Sequence, residues 1–136
     1  MYLLDTNVIS ELRKPKPHGA VLEWMNPVED ENLYISAVSI GEIQAGIELT
    51  REQDKNKAES LEVWLGDILK NHHVLAMTGT TFSLWAKLMH SQSSTVREDA
   101  MIAATAIEKN LTVVTRNTKD FKRFKVELLN PFGSMH

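Results

Sequence analysis

Acidic side chains that follow short apolar runs are the residues of this chain whose types and spacing could do chemistry. In chain order they are Asp5, Glu42, Asp99 and Asp120, with the amide of Asn117 three residues before the last. Carboxylates brought within a few ångströms repel one another, and some would take up protons unless a cation neutralised them. An oxygen-only set of this kind suits Mg²⁺ or Mn²⁺ rather than zinc, which usually takes His or Cys ligands.

A divalent cation held by these carboxylates would favour phosphodiester hydrolysis. It lowers the pKa of a bound water, orients that water for in-line attack and stabilises charge on the phosphate and leaving oxygens. No nucleophilic triad is evident, and the five histidines show no ligand spacing. The chain has no cysteine, which excludes disulfides and thiolate metal sites.

Each of these acids also has a purely structural explanation. Asp5 suits the N-cap of a helix, and Ser39 to Glu42 matches a capping box. Asp99 could oppose a helix dipole, and Asp120 could cap the turn that follows it. Taken singly, each position is typical of a structural role. Their joint placement beyond strand ends and near helix starts is what favours a site.

Basic residues are unevenly distributed along the chain. The net charge of −3 argues against a protein that covers nucleic acid by bulk electrostatics. Residues 109–125 are nevertheless rich in Lys and Arg, and a smaller basic group lies at residues 13–16. These charges suit either a solvated surface or local contact with a phosphate backbone. The candidates for such contact are Arg13, Lys14, Arg97, Arg116 and Lys119.

Hydrophobic periodicity predicts short strands that alternate with helices. Strands are expected over residues 2–4, 33–35, 74–76, 112–115 and 126–129. Helices are expected over residues 6–14, 19–26, 37–50, 54–72, from Thr78 or Thr80 onward, and over 99–108. This alternation predicts an α/β domain with a mainly parallel sheet of short strands. The C-terminal ends of parallel strands gather at one crevice, so the acids are expected to meet there.

The ends of the later helices carry finer signals. Thr95 to Glu98 matches a capping box that would open the helix carrying Asp99. Asn110 is a suitable residue to end that helix. Residues 116–120 are expected to form a polar loop, followed by one helical turn over residues 121–124.

Length and composition predict one globular domain. The chain has 136 residues, of which 43% are hydrophobic and 24% charged, as is ordinary for a globular protein. The domain is expected to span residues 1–133, with residues 134–136 as a tail. We recognise no signal peptide or membrane span, and together with the lack of cysteine this suggests a cytoplasmic protein.

Four segments and a closing dipeptide together resemble the PIN-domain family, specifically its VapC group of toxin ribonucleases from toxin–antitoxin pairs. The matching segments are residues 3–11 (LLDTNVISE), 35–43 (ISAVSIGEI), 98–106 (EDAMIAATA) and 114–121 (VTRNTKDF), with Asn130-Pro131 near the end. Their order and spacing cover nearly the whole chain. The resemblance implies a three-layer α/β/α PIN-like fold and an endoribonuclease that depends on Mg²⁺ or Mn²⁺.

The resemblance also implies roles for individual residues. Asp5, Glu42 and Asp99 would bind the metal. Many family members have a fourth acid where this chain has Asn117, so a second metal site would rely on Asn117 or on Asp120, a further candidate catalytic acid. Polar side chains that would line the site are Thr6, Asn7, Thr115 and Asn117.

The family further implies partners. These are an RNA substrate, a second copy of the chain in a homodimer, and a VapB-type antitoxin that blocks the acidic cleft within a hetero-oligomer. The basic residues named above then become candidate contacts for the RNA backbone.

Two other classes of function remain open on the sequence. One is a different Mg²⁺-dependent phosphohydrolase or phosphorylation switch. A haloacid-dehalogenase-like phosphatase would need a second Asp at position 7, which is Asn7, and a receiver domain would need an Asp after a central strand, whereas Asp54 lies in a polar helical stretch. The other is a PIN-like protein that binds RNA or a partner without catalysis, which the neutral Asn117 would favour.

Overall fold

The computed structural model describes residues 1–133, so the expected tail at 134–136 lies outside the described residues. Strands in this range are β1 (Tyr2–Leu4), β2 (Leu33–Ser36), β3 (His73–Leu75), β4 (Thr112–Val114) and β5 (Leu128–Leu129). Helices are α1 (Thr6–Arg13), α2 (Gly19–Met25), α3 (Ala37–Arg51), α4 (Lys55–Asn71), α5 (Gly79–Met89), α6 (Arg97–Lys109) and α7 (Thr118–Phe121). Within the described range, no helix is both long and apolar enough to cross a membrane.

The strands form one sheet in the order β3-β2-β1-β4-β5, with β1 at its centre. Each neighbouring pair is parallel, which confirms the expected α/β architecture. Leu3 of β1 lies in register between Tyr34 of β2 and Val113 of β4. The chain proceeds from β1 toward one edge and later returns to the other side of β1. Open α/β sheets bind their ligands at the carboxyl end of such a switch point.

Successive strand residues point to opposite faces of the sheet and enter two separate cores. Leu4, Ile35 and Val114 belong to the core that contains buried residues of α1 to α4. Leu3 and Val113 belong to the second core, which is built largely from α5, α6 and α7. Helices therefore cover both faces, and the molecule has the three layers that the sequence resemblance implied.

The capping box expected at the start of α6 is wrong. A 3₁₀ turn, Ser94–Val96, precedes the helix, and no side chain caps it at Val96. The Thr95 hydroxyl lies instead 3.1 Å from the Ser93 hydroxyl. Val96 is buried in the second core, so packing of this side chain, rather than a cap, sets where the helix begins.

The segment after β4 is also more helical than expected. Residues 116–120 were predicted to be loop, but α7 begins at Thr118 and contains Asp120. The predicted helical turn over 121–124 is present as the end of α7 and a 3₁₀ turn, Lys122–Phe124. Asn110 ends α6 in a left-handed conformation with φ of 57°, as expected.

Candidate active site

Asp5 lies at the C-terminal end of the central strand. Its backbone N–H donates to the Val114 carbonyl at 2.9 Å, and its side chain is only 5% exposed. Oδ1 accepts from the Thr6 N–H at 2.8 Å, so Asp5 caps α1. Oδ2 accepts from the Thr115 hydroxyl at 2.8 Å and from Asn7 Nδ2 at 3.1 Å. Burial outweighs these three bonds and raises the pKa of Asp5.

Glu42, in the second turn of α3, is joined to α1 through Thr6. Thr6 Oγ1 lies 2.6 Å from Glu42 Oε1 and 2.8 Å from Ser39 Oγ. A hydroxyl carries one proton, so Thr6 donates chiefly to the carboxylate, and the Ser39 hydroxyl is a second acceptor within its reach. The capping box considered for Ser39 and Glu42 is wrong, because α3 begins earlier, with Ser36 as its N-cap.

Residues after β4 complete the surroundings of Asp5. Besides donating to Asp5, the Thr115 hydroxyl accepts from the Asn117 N–H at 2.9 Å. Asn7, in α1, also bonds the segment after β4, because its Oδ1 accepts from the Arg116 N–H at 3.3 Å. Through these bonds Asn7 and Thr115, two of the polar residues expected to line the site, join α1 to the β4–α7 connection. Asn117 contributes a backbone bond, and its exposed side chain points to no hydrogen-bond partner among residues 1–133.

Asp99 lies in the first turn of α6 and completes the acidic cluster. Partial burial raises the pKa of Asp99 to about 6, and negative charge on nearby acids adds to the rise. The contributing acids, from the strongest effect to the weakest, are Asp5, Asp120, Glu42 and Glu98. The other three sequence-predicted acids, Asp5, Glu42 and Asp120, thus lie within electrostatic reach of Asp99.

Glu98 is a member of this cluster that the sequence interpretation missed. Its charge raises the pKa of both Glu42 and Asp99, after partial desolvation, which is the main cause in each case. Glu98 was assigned only to a capping box at the start of α6. Its position directly before Asp99, in the first turn of a helix that begins at the acidic edge, was the available signal.

The donor set fits a hard divalent cation, although the side chains do not form a closed ligand group. Among the described residues, no three His, Asp or Glu side chains converge closely enough to hold a metal ion. The acids that face this edge carry oxygen ligands only, and the pKa values of Asp5, Glu42 and Asp99 are raised by burial and by repulsion from nearby acids. A cation would relieve that repulsion, because it favours the ionised form of every acid around it.

The five basic candidates differ in what surrounds them. Arg116 stacks over the Phe132 ring, with Cζ 3.8 Å from the ring centroid, and Lys14 pairs with Glu11 at 3.0 Å. Arg13, Arg97 and Lys119 are exposed, and no ion pair forms on them within residues 1–133. The last three therefore have the more available charges.

Comparison with known proteins places the chain in a family. A profile of the PIN domain matches residues 2–127, which is most of the sequence. The chain belongs to the PIN-domain family. Among its relatives is the plasmid stability protein StbB of Pseudomonas syringae pv. tomato, 35% identical over 97% of this chain and 99% of the relative. Toxin FitB of Neisseria gonorrhoeae is 34% identical over 97% of this chain and 99% of FitB. VapC ribonuclease Y4jK of Sinorhizobium fredii is 34% identical over 97% and 98%.

Solved structures of the same family have the same fold. The crystal structure of FitAcB from Neisseria gonorrhoeae matches with a TM-score of 0.85 and 31% identity, over 98% of this PIN domain chain and 99% of that one. A structure of FitAB bound to an IR36 DNA fragment matches with a TM-score of 0.86 and 30% identity, over 100% and 99%. The family resemblance to VapC-type toxins, read from the sequence, is confirmed.

Proposed function

We propose that this PIN domain protein is a Mg²⁺- or Mn²⁺-dependent endoribonuclease that acts as the toxin of a toxin–antitoxin pair. The observation that carries the proposal is the buried Asp5 at the end of the central strand, within electrostatic reach of Glu42, Asp99 and Asp120. An acidic edge of this kind, without a nucleophilic side chain, suits hydrolysis by a metal-activated water. Relatives at 34% identity that are named as a toxin and as a ribonuclease support the same reaction.

Asp5, Glu42 and Asp99 are the residues that would hold the cation. When bound, the ion supplies an activated water and neutralises charge that develops on the phosphate. Asn117 and Asp120, the candidates for a second metal site, are exposed at the edge of the cluster. They would help to bind a cation through the Asn117 amide oxygen or through a water held by Asp120.

The surrounding polar residues keep the acids oriented. Thr6 holds one oxygen of Glu42, while Thr115 and Asn7 hold one oxygen of Asp5. Such bonds fix the direction of a ligand's free lone pairs and are worth about 10- to 100-fold in metal affinity at comparable sites. The exposed Arg13, Arg97 and Lys119 would contact the RNA backbone.

The proposed partners follow from the relatives rather than from contacts in this chain. The FitAcB and FitAB complexes support an antitoxin as a partner. We propose that this partner inhibits the chain by covering the acidic edge. A cationic side chain of that partner would be drawn to the cluster of Asp5, Glu42, Glu98 and Asp99. We further propose a homodimer within a toxin–antitoxin hetero-oligomer in the cytoplasm.

One specific observation favours a second candidate, which is a PIN domain that binds RNA without cutting it. Asn117 leaves the outer side of the cluster without the acid that many family members carry there. A single cation held by the remaining three acids would still support hydrolysis, so catalysis is the better-supported proposal.

The deciding experiment is cleavage of total cellular RNA by the purified chain, free of any partner protein. We expect cleavage with Mg²⁺ or Mn²⁺, none with a chelator, and none with Asp5→Asn. Asp67→Asn, an exposed acid on α4, is the matched control and should retain wild-type cleavage. Failure of the wild type to cut any RNA with either ion, together with RNA binding, would establish the non-catalytic candidate.

A further inference from the structure

A cavity of about 240 Å³ opens beside the acidic cluster, between α1, α3 and α4. Its polar wall is formed by side chains of α1 and α3, and its apolar wall includes an indole from α4. The lining residues that bear on its chemistry are Thr6, Ser10, Arg13, Glu42 and Trp64. Thr6 and Glu42 also belong to the candidate active site, so a group in the cavity would lie next to the reacting phosphate.

Several polar and aromatic side chains of the cavity wall are not occupied by partners within the described residues. The Arg13 guanidinium forms no ion pair within residues 1–133, and no side-chain hydrogen bond forms on Ser10 in the same range. Trp64 is partly exposed rather than sealed in the core. A cation, a hydroxyl and part of an indole therefore line the cavity.

We propose that this cavity is a nucleotide-binding subsite that holds one base of the RNA substrate next to the bond that is cut. This inference rests on the proposed ribonuclease function and deepens it. The base stacks on Trp64, Ser10 hydrogen-bonds its edge, and Arg13 contacts an adjoining phosphate. Bases stack on aromatic side chains in single-stranded nucleic acid recognition, and Arg suits phosphate because of its planar set of donors.

Size and charge favour a nucleotide over other occupants. Pockets for drug-sized ligands usually measure about 300–1,000 Å³, so this one suits a smaller group such as a single base. An apolar side chain from a protein partner would leave the Arg13 charge unmatched. An RNA strand brings a negative phosphate on each side of every base, which complements Arg13.

Fluorescence of Trp64 tests the subsite directly and does not depend on cleavage. Trp24→Phe and Trp85→Phe would leave Trp64 as the only indole, and Asp5→Asn would protect the RNA. We expect short homopolymeric ribonucleotides to quench its emission, with one base preferred, and a matched abasic ribose-phosphate oligomer to have little effect. Equal quenching by the abasic oligomer, or quenching by an antitoxin but by no RNA, would overturn the proposal.

Substitutions at the cavity give a second measurement. Trp64→Leu should weaken RNA binding about 5- to 100-fold, the range that base stacking provides, whereas Trp64→Phe should retain most of it. Trp24→Phe, on α2 outside the cavity, is the control and should bind as the wild type does. If Trp64→Leu unfolds, the exposed Arg13→Gln should still weaken binding and reduce its dependence on salt concentration.

These outcomes separate the subsite from the catalytic proposal. If the wild type cuts no RNA but Trp64 is quenched by bases, the subsite stands and catalysis fails. If the wild type cuts RNA, yet Trp64→Leu and Arg13→Gln leave affinity and the sequence at the cut ends unchanged, catalysis stands and the subsite is wrong.

Discussion

Asp5 shows how one side chain can serve both as a helix cap and as a candidate ligand. One oxygen caps α1, and the other accepts from Thr115 and Asn7. An ionised carboxylate has about four lone-pair sites, so three accepted bonds leave about one for a cation. The two explanations considered for Asp5 from the sequence are therefore compatible, because the cap itself orients the lone pair that stays free.

Thr6 provides a residue-scale prediction. Thr6→Val keeps the side-chain shape but removes the hydroxyl that donates to Glu42 at 2.6 Å. We expect Mg²⁺ or Mn²⁺ affinity to fall by about 10-fold or more, as for other residues that orient ligands, and cleavage to fall with it. Calorimetric titration of the metal measures this. Thr6→Ser is the control, and equal affinity in the two variants would contradict the orienting role.

Asp5→Asn provides the second residue-scale prediction. It keeps the size of the side chain and leaves one oxygen to accept hydrogen bonds, but it removes the charge at the centre of the cluster. Cleavage is expected to fall at least 100-fold, because the cation loses its most buried ligand. The NH2 group of Asn would face either the Thr6 N–H or the donors Asn7 and Thr115, so we expect the free energy of unfolding to fall by about 1 kcal/mol while circular dichroism still shows a folded chain. Loss of activity through unfolding would argue against this interpretation.

At the scale of elements, the hydrophobic pattern predicted the strands and helices well, because the strands are short apolar runs and the helices repeat apolar residues at a period near 3.6. The start of α6 could not be predicted in this way. The Thr95–Glu98 pattern is a local signal, whereas the observed 3₁₀ turn follows from burial of Val96 in a core made by distant residues. Topology alone identified which strand and helix ends would carry acids, but not the bond between Thr6 and Glu42, which lie 36 residues apart.

The C-terminus of α6 gives an element-scale prediction. Asn110 has φ of 57°, and its N–H bonds carbonyls of the last turn. Left-handed backbone costs roughly 1–2 kcal/mol for a residue with a Cβ and no compensating polar group. Asn110→Ala should therefore lower the free energy of unfolding by about 1 kcal/mol, measured by urea denaturation. Asn110→Gly should be no less stable than the wild type, and equal losses in both variants would exclude backbone strain as the cause.

At the scale of the whole molecule, the acidic edge opposes folding of the metal-free chain at neutral pH. The pKa of Asp99 is raised from 3.8 to about 6, so the folded chain holds this proton more tightly than the unfolded chain. The resulting stability is present below about pH 4 and is lost as the pH rises through about 6. After allowance for solvent screening at this partly exposed group, the loss is about 1 kcal/mol.

Asp99→Asn tests this pH dependence. Between pH 4 and pH 7, without metal, the wild type should lose about 1 kcal/mol of unfolding free energy relative to Asp99→Asn. Asp67→Asn, on the exposed surface of α4, should follow the wild type. Added Mg²⁺ should restore the stability of the wild type at pH 7 and not that of Asp99→Asn. If the unfolding free energies of wild type and Asp99→Asn changed equally with pH, the pKa of Asp99 would not be raised in the folded chain.

The central position of β1 has a consequence for how the protein is made. Asp5 is synthesised 110 residues before Thr115, which holds its carboxylate. β1 also waits for β4, its neighbour on one side. A growing chain on the ribosome therefore carries the acids long before they are brought together. For the proposed ribonuclease, this order of assembly delays completion of the site around Asp5 until Thr115 has been synthesised.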